Sequence, residues 1–147
     1  MAEPFIHRRV VEFVETDMAG IVHFSNFLRW IEAAEAALFR ELGLEIIQSD
    51  GTTDHGWPRV RASAEYHDAI RFQDVVEIEL RVKAIKIKAV EYEAKAYVVD
   101  GDTRRHAATG KMTTVYVSKP TAGGPMSSQK LDEPTLAKLA PLAEVVL

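Results

Sequence analysis

The stretch ETDMAGIVHFSNFLRWIEAAEAALFRELG, residues 15–43, decides the fold. From Phe24 onward the apolar positions Phe24, Phe27, Leu28, Ile31, Leu38 and Leu42 recur at three and four, which is the period of an amphipathic helix. Ser25 is a suitable N-cap and Gly43 a suitable residue just past the C-terminus. Roughly 18 residues of helix span about 27 Å, enough to lie across a whole sheet. Asp17 stands just ahead of this helix, at the end of a strand-like run and in a Gly-containing loop. A carboxylate can act as base or nucleophile, and the unpaired N–H groups of a helix start can stabilise an oxyanion. One short segment therefore holds both requirements of acyl transfer.

Outward from the helix the chain reads as strands. FIHRRVVEFV, residues 5–14, is rich in β-branched and aromatic types and predicts a first strand. SDGTTDHGWP predicts a polar loop, followed by strands RVRASAEYH and VVEIELRVKA. In the second, Glu77, Glu79, Arg81 and Lys83 occupy odd positions, whereas Lys86 and Lys88 are even; such a change of phase means a bulge or a turn. A tight hairpin is expected near Ile85–Ala89, then a strand VEYEAKAYVV with Glu91, Glu93 and Lys95 on one face. Asp100-Gly101 supplies a two-residue hairpin signal before HAATGKMTTVYVS. A Pro-, Gly- and Ser-rich segment follows, closing with a short helix around PTLAKLAPL. The expected class is α+β, an antiparallel β-sheet wrapped around one long α-helix. A single domain spans 1–147 on this reading, with a core of about 5–118 and a C-terminal tail of 119–147.

Composition narrows the chemistry. At 147 residues, 47% hydrophobic and 27% charged, the chain suits one domain with a sizeable core. A net charge of −4 argues against a nucleic-acid footprint. The absence of cysteine excludes disulfides, thiolate nucleophiles and Cys-ligated metals. No apolar run approaches a membrane span, and MAEPFIHRR lacks the apolar core of a signal peptide, so a cytoplasmic location is expected. His7, His55, His67 and His106 are dispersed, with no helical spacing that suits a metal, and no cofactor is expected.

The segment ETDMAGIVHFSNFLRW resembles the signature of hotdog-fold thioesterases, specifically the 4-hydroxybenzoyl-CoA thioesterase family with its related bacterial acyl-CoA thioesterases. Asp17, Ala19, Gly20, Ile21, Val22, Asn26, Arg29 and Trp30 carry the match, and the Gly56-Trp57-Pro58 loop and the lysines of the 85–89 hairpin extend it. The resemblance implies a hotdog dimer, often paired into a tetramer, with active sites at the subunit interface. It also implies hydrolysis of an acyl-CoA thioester without metal or organic cofactor, with Asp17 as the catalytic carboxylate. A backbone N–H near Phe24 would polarise the thioester carbonyl, and Lys86 and Lys88 would grip the nucleotide phosphates. Many members of the acyl-CoA branch carry a histidine seven residues after the aspartate. Here that position is Phe24, and the histidine, His23, comes one earlier. Where relatives often have a Ser or Thr after the basic hairpin residues, this chain has Ala89.

Each candidate also has a plainer reading. Asp17 can be a loop or cap residue, and sequence leaves open whether it attacks the thioester or activates water. His23 is retained as a pocket or orienting residue. Phe24, Phe27 and Trp57 read first as packing and second as lining of an acyl pocket. Lys86 and Lys88, with Arg61 as a weaker addition, read as a solvated face or as an anion site. Glu35 falls on the apolar stripe of the helix, as a stripe-edge residue or a helix-borne acid. Ten positions past the helix start is about 15 Å along the axis, too far to share a site with Asp17. Two rival functions remain: a hydratase or dehydratase acting on acyl-CoA or acyl carrier protein, and a non-catalytic protein that binds acyl thioesters. The hydratase pattern is an Asp-His pair with four residues between, whereas five separate Asp17 from His23.

Overall fold

The first apolar run makes a shorter strand than its composition predicts. In the computed structural model, which describes residues 2–147, β1 is Phe5–Val10, and the chain then enters a 3-10 turn at Phe13–Glu15. Glu15 forces the break: its Oε1 accepts a hydrogen bond from the Glu12 N–H at 2.8 Å, closing the turn where a strand would have continued. The helix follows as α1, Ser25–Glu41. Ser25 is not its cap, because Phe24 holds the N-cap position in a helical conformation with no side-chain cap bond. At the other end Gly43 has φ +73°, the left-handed conformation expected just past a helix C-terminus.

The remaining strands are β2 (Gln48–Ser49), β3 (Thr53–Gly56), β4 (Arg59–Tyr66), β5 (Val75–Ile85), β6 (Ala89–Asp100), β7 (Thr103–Val115), β8 (Val117–Pro120) and β9 (Ser127–Ser128). A short helix α2 (Glu133–Leu139) and strand β10 (Val145–Val146) close the chain. The main sheet runs β1-β5-β6-β7-β4, antiparallel throughout, with β10 added in parallel beside the end of β5. A smaller sheet runs β2-β3-β8-β9. The phase change read in the sequence resolves into two features, a bulge between Val82 and Ala84 and a turn closed by the Lys86 N–H bonding to the Ala89 carbonyl. The next hairpin turns on Gly101 and Asp102 between the paired Asp100 and Thr103, one residue later than Asp100-Gly101 implied.

Three expectations change. The polar loop 49–58 contains β3, which pairs with β8. The strand read as continuous from His106 to Ser118 changes sheets at Tyr116, which separates β7 from β8. The stretch expected as a tail beyond 119 contributes Leu131 and Leu139 to the buried core and β10 to the main sheet.

The apolar face of α1 lies on this sheet. Phe27, Trp30, Ile31, Ala34, Leu38 and Phe39 are buried against Val76, Ile78, Leu80, Ala94, Ala96 and Ala108. Gly110 on β7 permits the close approach, since a Cβ there would lie 2.6 Å from Ile31 Cδ1 and 2.9 Å from Phe27 Cε2. β4 forms the far edge of the sheet and is exposed along most of its length. Among the described residues no helix is long and apolar enough to cross a membrane.

Candidate active site

Two acids two residues apart divide the work of the loop before α1. Glu15 is buried, and its side chain is engaged on three sides: Arg9 donates to Oε2 at 2.8 Å, Trp30 Nε1 to the same oxygen at 2.6 Å, and the Glu12 N–H to Oε1. Its carbonyl accepts from the His23 N–H at 2.9 Å and from Asn26 Nδ2 at 2.8 Å. The loop is thereby fastened to the first turn of the helix. Asp17 is exposed. Its Oδ1 accepts from the Ala19 N–H at 2.9 Å, and Oδ2 has no partner among the described residues. Its own backbone is fixed, with the N–H bonded to the Ile21 carbonyl and the carbonyl bonded to the Gly20 N–H. Gly20 turns the chain there at φ +80°, a conformation that glycine adopts without a Cβ penalty.

Asp17 borders a cavity of about 390 Å³ whose wall includes Val22, Phe24, Phe27, Trp30, Tyr66 and Ile70. At the helix start, His23 N–H and Asn26 N–H are both used and Ser25 N–H reaches His23 Nδ1 at 3.3 Å, whereas Phe24 N–H has no partner among the described residues. A residue with a free carboxylate oxygen and a residue with a free helix-start N–H thus line one cavity, a pairing that can serve acyl transfer. Tyr66, which the sequence did not single out, crosses from the end of β4 to donate its hydroxyl to the Phe24 carbonyl, and its ring meets Phe27 edge-on at 6.1 Å. Burial raises the Tyr66 phenol above its ordinary value, so it stays a donor at neutral pH. No residue pattern could have identified it, because the contact joins positions 42 apart.

The other predicted residues are dispersed. His23 turns its ring back onto the helix start, with Nδ1 2.8 Å from Ser25 Oγ, and acts as the missing cap. Trp57 is 5% exposed and packs with Phe39 and Tyr116, away from the Asp17 cavity. Arg61 is exposed on β4. Lys86 pairs with Glu91 at 2.6 Å and Lys88 reaches Ser128 Oγ at 3.4 Å, both at the hairpin end of the sheet. Ala96, opposite the cavity residue Ala108, lies seven residues along β6 from Ala89, or about 23 Å at the rise of a strand. Within one chain the lysines and Asp17 do not meet. Glu35 is 1% exposed and bonded through Oε1 to Arg59, and the buried Tyr92 hydroxyl adjoins its carboxylate. Burial raises the Glu35 carboxyl despite the opposing Arg59 charge. No group of His, Cys, Asp or Glu among the described residues is arranged to hold a metal ion.

Comparison with known proteins shows the family and the fold. The chain is 30% identical over 128 residues to a 4-hydroxybenzoyl-CoA thioesterase from Pseudomonas sp. (strain CBS-3), covering 84% of this chain and 74% of that protein. It is 33% identical over 81 residues to a 1,4-dihydroxy-2-naphthoyl-CoA hydrolase from Prochlorococcus marinus (strain MIT 9303), covering 50% of this chain and 54% of the relative. It spans 63% of a further relative from Aquifex aeolicus, at 33% identity over 92 residues. Among solved structures, a 4-hydroxybenzoyl-CoA thioesterase variant complexed with 4-hydroxybenzoyl-CoA superposes with a TM-score of 0.78 at 20% identity, over 94% of this chain and 99% of that one. A 1,4-dihydroxy-2-naphthoyl-CoA thioesterase from Synechocystis gives 0.77 at 20% identity, over 94% and 96%. These structures share the fold. The profile of the thioesterase-like superfamily matches residues 11–147, and the chain belongs to that family.

Proposed function

We propose that this protein is an acyl-CoA thioesterase of hotdog fold, in which Asp17 carries the hydrolysis and the Phe24 N–H stabilises the developing oxyanion. The observation that carries the reading is that Asp17 and Phe24 line one cavity, the first with a carboxylate oxygen and the second with a backbone N–H that have no protein partner among the described residues. With the thioester carbonyl oxygen on that N–H, Asp17 acts in one of two ways. It attacks the carbonyl carbon, the C–S bond breaks, CoA leaves as thiolate, and water cleaves the resulting anhydride. Alternatively it takes a proton from a water that attacks the same carbon. Neither route needs a metal or organic cofactor. Phe24 and Phe27 line the acyl pocket and suit an aromatic or a short- to medium-chain acyl group. His23 orients the helix start through Ser25.

The site is completed by a second copy of the chain. β4 has an unpaired edge, and such an edge is a template for pairing. A homodimer, itself paired into a homotetramer, brings Lys86 and Lys88 of one protomer towards the phosphates of a CoA bound at the other, with Arg61 in a lesser role. Release of free thiol from a panel of aromatic, short-chain and medium-chain acyl-CoAs tests the activity and sorts the acyl group. Trapping an acyl-enzyme at Asp17 with hydroxylamine during a single turnover separates the nucleophilic from the general-base route. Tight acyl-CoA binding with no hydrolysis across the panel would overturn the reading in favour of a binding protein.

A further inference from the structure

Phe24 enters α1 without a side-chain cap, at φ −55° and ψ −30°. Its N–H and its carbonyl belong to the two peptide planes that flank one Cα. With φ and ψ set, the direction of one fixes the direction of the other. The carbonyl receives the Tyr66 hydroxyl. Tyr66 is well placed to hold it, because its backbone is in register with Ala108 on β7 and the next residue, His67, donates its N–H to the Ala107 carbonyl at 2.8 Å. The ring also lines the Asp17 cavity and packs against Phe27. Tyr66, at the end of an edge strand, thus reaches the residue that bears the free donor through the peptide plane on its other side.

We infer that Tyr66 is a positioning residue for the reaction: by holding the Phe24 carbonyl it aims the Phe24 N–H at the place where the oxyanion forms. The inference rests on the reading of Phe24 as oxyanion donor. It assigns Tyr66 no contact with the reacting atoms. An aim that matters to the transition state more than to the bound thioester lowers kcat and spares KM when it is lost.

The variant that tests this is Tyr66→Phe, which keeps the ring against Phe27 and removes only the hydroxyl. The expected result is a fall in kcat of about 10-fold, smaller than the loss on deleting an oxyanion donor outright, with KM unchanged. Affinity for a trifluoromethyl-ketone CoA analogue, which binds as a tetrahedral adduct resembling the transition state, should fall by the same factor, while binding of CoA itself and the thermal midpoint stay as in the wild type. Unchanged kcat, or a fall matched by equal loss of CoA affinity, overturns the inference. The backbone amide order parameters of Phe24 and Ser25 separate this from the functional reading, since they need no turnover. They drop in Tyr66→Phe if the hydroxyl holds the helix start, even should the wild type prove inactive on every acyl-CoA tried. Equal order parameters in the two proteins would refute the positioning role by itself.

Discussion

The start of α1 and its middle handle acids in opposite ways. At the start, Glu15 is buried with every oxygen engaged by Arg9, Trp30, Asn26 and backbone N–H groups, and Asp17, two residues on, is left in the open with one oxygen free. In the middle, Glu35 lies deeper than either, bonded to Arg59 through one oxygen and adjoined by the buried Tyr92 hydroxyl. Burial thus marks the two acids that hold the molecule together, and exposure beside a cavity marks the one available for chemistry. A shifted titration is a poor guide here, because the raised acid is Glu35, remote from the cavity of Asp17.

The largest effect that would break this contrast is on turnover. Asp17→Asn should lower kcat by about 10³-fold with the urea midpoint unchanged; steady-state kinetics beside equilibrium unfolding decide it, and an active Asn variant would return Asp17 to the role of a turn residue. Arg59→Met should do the reverse, costing about 3 kcal/mol of stability near neutral pH, because it strands a buried carboxylate. The pH dependence follows from the sign of the Glu35 shift. Its folded-state value is raised above the ordinary 4.5, so its contribution to stability is complete below that pH and declines as pH rises through the folded value. The Arg59→Met deficit should therefore shrink in acid, where Glu35 is neutral, and a deficit independent of pH would show that packing and not charge is lost. Glu15→Gln should cost about 2 kcal/mol, since a buried charge-assisted bond to Arg9 becomes neutral. Its turnover should fall only modestly, as the other ties of the loop persist. Gly110→Ala is expected to be the mildest, about 1 kcal/mol from overpacking. It pushes Phe27 towards the cavity, so KM for bulky acyl groups should rise before stability suffers.

The helix and the pairing of β5, β6 and β7 were legible because their apolar spacing is regular over ten residues or more. The same spacing located Gly43. The short strands β3 and β8 were not, since four-residue strands rich in polar residues leave no periodic side-chain signal. The end of β1 was missed because Val11, Phe13 and Val14 continue a strand composition while Glu15 bends the chain locally. At the candidate site, the motif and the helix start pointed to Asp17, Phe24 and Phe27, which line one cavity. Tyr66 and Glu15 were not, because each acts through a contact between distant positions. Trp57 was drawn into the site by its motif, but the fold puts it behind the helix with Phe39 and Tyr116.

The loop that carries Asp17 is held from behind. Its fastenings are the Glu15 side chain, the Asn26 amide and backbone bonds from Asp17, Gly20, Val22 and His23, and the side chain of Met18, at full exposure, takes part in none of them. Drift at the rim is therefore cheap. Replacements at Met18 should leave both the folding of the loop and the setting of the carboxylate next to it untouched.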